Sequence, residues 1–227
     1  MSNVLCGQWN EFEYYFVNNK CILGDNNSVA LISGKTCPEV VIIPQYVNGN
    51  PVLELGANSL NGLVEIKEIT ILARITQINA RAIYNSAGLE KINIPSTCLY
   101  MFYGSIHLYN ITHGGYRPAP GTTDIIFEPN SKIQYIGDHS LSYRENMNFY
   151  FCSPVNPKIH SSALVGITNK KYYSPYDFWL TDKNVHVYNN DVLPDICYDP
   201  KTKFTCKCKT INIGLNLNVL ISIFVVL

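Results

Sequence analysis

The chain has 227 residues, enough for one domain with a substantial core, and it carries 17 basic and 17 acidic residues. A net charge of zero argues against nucleic acid as a partner, because that binding needs a basic surplus or a basic stripe. Only 15% of the residues are charged, whereas tyrosine and asparagine are frequent. A surface that is polar through amides and hydroxyls suits contacts with proteins or sugars, and it is equally compatible with a surface that binds no partner.

Residues 1–39 are predicted to form an N-terminal β cap. The segments 11–17, 21–23 and 29–32 alternate apolar and polar residues or are rich in β-branched residues, which is typical of strands. Such a cap would cover the open end of a stacked core and its unpaired backbone groups.

Residues 40–164 contain a repeat with a period of 23 residues, seen most clearly within 66–106. At this shift Ile69 aligns with Ile92, Ile78 with Met101 and Ile83 with Ile106. A period in the twenties is typical of stacked turns that bury their apolar residues against one another. The sequence therefore predicts a β-rich solenoid of about five turns, with a loop insertion at 107–121 and short 3₁₀ or helical return legs.

Alternation along each predicted strand sends every second residue out of the core. One outward row would then be the candidate partner-binding surface, consisting of Ile42, Thr70, Asn93, Ile126 and Tyr150. A second outward row would bring Glu68 and Lys91 together as a surface ion pair. The insertion 107–121 is a further candidate, because long loops in regular scaffolds often carry function.

Two recurring motifs suggest a family. Val41-Ile-Ile-Pro44 matches Ile92-Asn-Ile-Pro95, and the segment 127–137, Phe-Glu-Pro-Asn-Ser-Lys-Ile-Gln-Tyr-Ile-Gly, joins a short turn to an Ile-Gly pair. In these motifs the chain resembles the BspA-like (Treponema-type) leucine-rich-repeat surface proteins. The resemblance implies a right-handed leucine-rich-repeat coil. It also implies a non-enzymatic surface antigen or adhesin that engages host matrix proteins or cell-surface proteins.

Residues 165–209 are predicted to form a C-terminal cap, and 210–227 an apolar tail. Within the cap an aromatic cluster would either plug the core or form a sugar or peptide platform; it comprises Tyr172, Tyr173, Tyr176, Phe178 and Trp179. The uncharged tail follows four lysines, which is typical of a membrane anchor. A β-strand or buried cap and a disordered tail are the alternatives, since β-branched residues alternate there.

The eight cysteines leave the compartment open. Six of them lie in the flanks, as in the disulfide-bonded caps of extracellular proteins, but the N-terminus lacks the pattern of a signal peptide. Membrane or cell-surface placement is favoured, and a cytoplasmic protein is the alternative. The sequons at Asn26 and Asn110 would be glycosylated only in a secreted protein.

No phosphate-binding loop or nucleophile elbow is present, and the five histidines show no metal-ligand spacing. Cys197, Cys206 and Cys208 lack both the spacing and the fourth ligand of a structural zinc site. We therefore predict no enzyme activity, no cofactor and no metal. The function predicted is protein binding at a surface, and the alternative is an intracellular or tail-anchored interaction scaffold.

Overall fold

The computed structural model describes residues 4–112, 115–151, 157–173 and 186–187, and within them every regular element is a β-strand. In chain order the strands are β1 (Val4–Trp9), β2 (Phe12–Val17), β3 (Lys20–Leu23), β4 (Val40–Ile43), β5 (Tyr46–Val47), β6 (Asn50–Leu55), β7 (Glu68–Ile71), β8 (Gln77–Ile78), β9 (Ile83–Tyr84), β10 (Lys91–Ile94), β11 (Tyr100–Met101), β12 (Ile106–His107), β13 (Tyr109–Thr112), β14 (Gly115–Phe127), β15 (Tyr135–Ile136), β16 (Leu141–Ser142), β17 (Arg144–Phe151), β18 (Lys158–Ile159), β19 (Asn169–Tyr173) and β20 (His186–Val187).

These strands form three sheets. The first has the order β1-β2-β3-β6-β8-β11-β15-β18, with β5 paired to β6, and it changes from antiparallel pairs to parallel pairs after β3. The second has the order β20-β19-β17-β14-β10-β7-β4 and is parallel throughout, apart from β13, which pairs antiparallel with β14. The third consists of the short parallel strands β16, β12 and β9.

One apolar core joins the inner faces of the three sheets. In β7, Ile69 and Ile71 are buried while Thr70 between them is half-buried, as the two-residue periodicity of a strand requires. The first sheet contributes Ile78 and the third contributes Ile83, both fully buried. Each isoleucine buried in this way stabilises the fold by about 2 kcal/mol.

The predicted leucine-rich-repeat coil is wrong. The part of the chain that the structure describes contains no helix, and its sheets are parallel and mixed, so a solenoid with 3₁₀ or helical return legs is not shown. Residues in the predicted return legs adopt positive φ angles, among them Asn58 at 60° and Arg81 at 57°. An α-helix needs a φ angle of about −63°, so these residues cannot continue a helix. Two-residue strands flank the turns instead.

The 23-residue spacing does appear in individual strand pairs. Ile69 pairs with Ile92, Ile78 with Met101 and Ile83 with Ile106, each across a parallel ladder. The spacing therefore identified neighbouring strands correctly, although the architecture built on it was wrong.

The N-terminal segment and the insertion also take definite forms. Strands β2 and β3 lie where 11–17 and 21–23 were expected, whereas 29–32 contributes only an isolated bridge between Leu31 and Phe12. Within the insertion 107–121, β13 and the start of β14 form an antiparallel pair, and β14 then continues into the second sheet.

Candidate functional site

The five residues predicted to bind a partner lie side by side on the second sheet. Ile42 pairs with Thr70, and Ile126 pairs with both Asn93 and Tyr150. Their exposures differ widely: Ile42 is 40% exposed, whereas Asn93 and Tyr150 are each 7% exposed. Thr70 and Ile126 are half-buried. A partner approaching this face would therefore meet Ile42 first.

Val40 extends the apolar surface around Ile42. Alternate residues of a strand point to the same face, and Val40 is 53% exposed while the intervening Val41 is buried. Among the described strands, β4 stands at the end of the second sheet. Val40 and Ile42 thus form a small apolar patch at the edge of the sheet.

The amide of Asn93 is committed to the sheet itself. Its Nδ2 donates to the Ile71 carbonyl at 3.1 Å and to Glu128 Oε1 at 3.0 Å. Its Oδ1 accepts a hydrogen bond from the Ile71 backbone N–H at 2.6 Å. Asn93 therefore holds neighbouring strands together, a role that its predicted outward position did not suggest.

The second outward row carries paired polar groups. The predicted pair of Lys91 and Glu68 is confirmed, with Nζ and Oε1 2.8 Å apart, and Asn148 Nδ2 donates to Asp124 Oδ1 at 2.7 Å. The Lys91–Glu68 pair is partly exposed, so it contributes at most about 1 kcal/mol.

A second cluster, which the sequence did not reveal, lies at the third sheet. We call it the tyrosine–histidine corner, and it consists of Arg81, Tyr84, Tyr103, His107, His139 and Tyr143. The parallel pairing of β9 with β12 sets Tyr84 beside His107. Their rings stack with centroids 4.7 Å apart, and Tyr143 stacks on His107 at the same distance. The spacing matches that of neighbouring strands, so the sheet itself builds the pair of Tyr84 and His107. Tyr143 directly follows Ser142, the residue that pairs with His107 in the ladder.

The backbone at this corner repeats one left-handed turn. Asn58, Arg81, Gly104 and His139 have φ angles of 60°, 57°, 58° and 55°. The N–H of Asn58 donates to the Ala80 carbonyl, and the next two turn residues donate in the same way, each to the residue just before the following turn residue. Asparagine, glycine and, to a lesser degree, histidine suit this conformation, whereas arginine adopts it less often. Arg81 is therefore the costly member of this series, and its side chain enters the corner.

His107 is the buried centre of the corner. Burial, together with the nearby His139 and Arg81, lowers the pKa of His107 from 6.5 to about 4, and burial is the largest cause. The ring is therefore neutral at pH 7. Ser142 Oγ donates to the His139 carbonyl at 2.6 Å and lies 2.9 Å from His107 Nδ1. A neutral tautomer with its proton on Nδ1 would donate to that hydroxyl oxygen.

An acidic side chain, that of Asp138, contacts the corner through His139. Its Oδ1 lies 2.6 Å from His139 Nδ1 and 3.5 Å from His160 Nδ1. The Arg81 guanidinium instead lies over two aromatic rings, 5.3 Å from the Tyr84 centroid and 5.6 Å from the Tyr103 centroid. These are cation–π distances.

Four cysteines lie within the described ranges. Cys6 and Cys21 form a disulfide that joins β1 to β3. Cys37 and Cys98 are free thiols, and burial raises their pKa values to about 11 and about 12, so the reactive thiolate is disfavoured at both. Cys152 and the set Cys197, Cys206 and Cys208 lie outside the described residues.

Both sequons occupy exposed positions. Asn26 lies in a turn, and its Oδ1 accepts a hydrogen bond from the Ala57 backbone N–H at 2.6 Å. Asn110 lies on β13, opposite Arg117. Glycosylation of Asn26 and Asn110 stays a prediction.

Most of the predicted C-terminal features fall outside the described residues. These are Tyr176, Phe178, Trp179 and the tail 210–227. Tyr172 is buried and stacks on Phe149 with centroids 5.0 Å apart, as expected if it plugs the core. Within the described ranges there is neither a helix long and apolar enough to cross a membrane nor a group of three potential metal ligands.

Comparisons with known proteins yield no relative for this chain. No family model, no curated protein and no solved structure matches it. The resemblance to BspA-like proteins therefore has no support from these comparisons.

One signal in the sequence could have revealed the corner. Tyr84 and His107 are 23 residues apart, the spacing that aligns the buried isoleucines. A search for metal-ligand spacing among the histidines does not reveal this register of tyrosine with histidine. Tyr143 and His139 could not have been found in this way, because the insertion shifts them out of the repeat.

Proposed function

We propose that this protein is a non-enzymatic binding protein that engages protein partners through the outer face of the second sheet, in the manner of a surface antigen or adhesin. The observation that carries the proposal is the exposed patch formed by Val40 and Ile42. Exposed β-branched residues on a sheet face are costly in water, and burying them against a partner recovers that cost.

The rest of the face suits such a contact. Thr70 is half-buried beside the patch, Ile126 is half-buried farther along the same row, and the pair of Lys91 with Glu68 places both signs of charge nearby. An apolar centre bordered by polar groups is the usual anatomy of a protein–protein interface.

Two observations support placement at a surface. The disulfide between Cys6 and Cys21 is typical of proteins in oxidising compartments. The BspA-like leucine-rich-repeat proteins, whose motifs this sequence resembles, are described as surface antigens and adhesins.

The experiment compares binding of the full chain and its variants to a panel of purified extracellular-matrix proteins. The double variant Val40→Thr with Ile42→Thr keeps β-branched residues in β4 but removes the apolar patch. Binding should weaken at least tenfold, which corresponds to about 1.4 kcal/mol. Val165→Thr is the matched control, because Val165 is 38% exposed and lies outside the strands of the second sheet.

Two results would show that the outer face of the second sheet does not bind the partner. One is unchanged binding by the double variant, and the other is an equal loss in the Val165→Thr control. Thermal unfolding of each variant separates loss of the interface from loss of the fold.

A further inference from the structure

We propose that the tyrosine–histidine corner is a second binding site. It binds an acidic sugar, whose carboxylate pairs with Arg81. The site lies on the third sheet, so it is independent of the protein-binding face proposed above. Its ligand class follows from three features: a guanidinium that has no carboxylate partner, tyrosine rings beside it, and a backbone that holds the arginine at some cost.

The Arg81 guanidinium is positioned but uncommitted. Within the part of the chain that the structure describes, no carboxylate oxygen lies within 4.0 Å of it. The Tyr84 and Tyr103 ring centroids lie 5.3 Å and 5.6 Å from its central carbon, and these cation–π contacts restrict its movement. The planar fork of N–H donors in a guanidinium matches a carboxylate, which it can bind in a bidentate manner.

The nearby charges favour an anion. Asp138 is the acidic group of the corner, and its carboxylate contacts His139 at 2.6 Å. His160 lies beyond it, 3.5 Å from the same oxygen, while His107 is buried and neutral at pH 7. Arg81 therefore keeps a full positive charge that no acidic side chain of the corner takes up.

The backbone at Arg81 is more costly than it needs to be. The preceding and following turns of the same series use Asn58 and Gly104, the residue types that suit a φ angle near 60°. The conformational free-energy cost of arginine at this position has to be offset by an interaction of its side chain. The position aims a long cationic side chain across the tyrosine column, which neither asparagine nor glycine could do.

The tyrosines favour a sugar as the carrier of the carboxylate. Tyr103 is 42% exposed, and Tyr84 and Tyr143 are half-buried, so ring surface and phenol groups remain accessible beside the guanidinium. An aromatic ring offers a flat apolar surface for the C–H face of a pyranose, and its hydroxyl exchanges hydrogen bonds with those of the sugar. A short acidic peptide would use the guanidinium without needing the rings.

The test uses the full chain at neutral pH and low salt, with binding followed by NMR titration. The probes are glucuronate, glucose, acetate and a tri-glutamate peptide. Glucuronate should bind with a dissociation constant on the order of 1 mM, at least tenfold more tightly than glucose or acetate. If glucose binds as tightly as glucuronate, the carboxylate has no role in binding. If acetate binds as tightly, or tri-glutamate binds more tightly, the ligand is not a sugar.

Variants then assign the site. Arg81→Asn should weaken glucuronate binding at least tenfold while leaving the unfolding temperature unchanged or higher, because asparagine suits the left-handed turn. Tyr103→Ala, at an exposed position, should weaken binding without affecting the core. Arg74→Asn, at an exposed arginine outside the corner, is the control and should bind normally. Normal binding by Arg81→Asn or by Tyr103→Ala would overturn the proposal.

Discussion

Burial of His107 should make the stability of the fold depend on pH. In the unfolded chain this imidazole takes up a proton near pH 6.5, whereas in the folded protein its pKa is about 4. Between these two values the unfolded state binds more protons than the folded state. The stability that His107 provides is therefore complete above pH 6.5, falls as the pH is lowered toward 4, and is lost below that.

The pKa difference sets the magnitude. Each pKa unit corresponds to about 1.4 kcal/mol, so the full effect has an upper bound of about 3 kcal/mol. At about pH 5 the linkage relation puts the loss near 2 kcal/mol. Because water and local relaxation at the corner reduce such penalties, we expect a loss of about 1 to 2 kcal/mol.

The assay is urea unfolding at pH 7.5 and at pH 5, with the wild-type chain compared with His107→Phe. Phenylalanine keeps the stacking with Tyr84 and Tyr143 but cannot take up a proton. Ser142 keeps its hydrogen bond to the His139 carbonyl in this variant. The wild type should lose about 1 to 2 kcal/mol more than the variant between the two pH values.

His160→Gln serves as the control, because this histidine is 42% exposed and contacts Asp138 rather than the ring column. Equal losses of stability in the wild type and in His107→Phe as the pH falls would exclude His107 as the source of the pH dependence. A His160→Gln variant that removes the pH dependence as fully as His107→Phe does would exclude it as well.

Three further predictions concern stability, each measured by urea unfolding. Replacing both Cys6 and Cys21 with serine should cost about 3 kcal/mol, because the disulfide closes a loop with a sequence separation of 15; an unchanged stability of that variant under oxidising conditions would contradict this. Gly88→Ala should cost about 2 to 3 kcal/mol, because a β-carbon there would overlap the Val64 carbonyl oxygen; an unchanged midpoint would show that the backbone can shift. Asn93→Ala should cost about 2 to 3 kcal/mol by leaving backbone groups of β7 unpaired, and a loss below about 0.5 kcal/mol would assign Asn93 to the surface.

The outcome on the second sheet shows where sequence reasoning succeeds. Alternation placed Ile69 and Ile71 in the core, because strand geometry has a strict two-residue period. Alternation combined with the 23-residue repeat set Glu68 beside Lys91. The same alternation put Asn93 and Tyr150 on the outer face, yet both are nearly buried. Outward direction is a property of the strand, whereas exposure depends on what neighbouring strands place over the residue.

The return segments show where prediction from the sequence fails. Asn58, Arg81 and His139 adopt the same left-handed turn although their side chains have little in common. A helix propensity scale cannot anticipate this, since the turn is stabilised by hydrogen bonds to the following segment rather than by local preference. The predicted helical legs were wrong for that reason.

Three features can be read from the amino-acid sequence alone: the chain is rich in strands, particular isoleucines face inward, and particular strands are neighbours. They can be read because burial of apolar side chains and the two-residue period act locally along the chain. Other features become visible only in three dimensions: the described part of the chain has three sheets and no helix, Cys6 bonds to Cys21, and Arg81 lies against Tyr84 and Tyr103. These contacts join residues that are distant in the sequence or lie on separate turns, and their geometry depends on how the sheets pack, which no local pattern encodes.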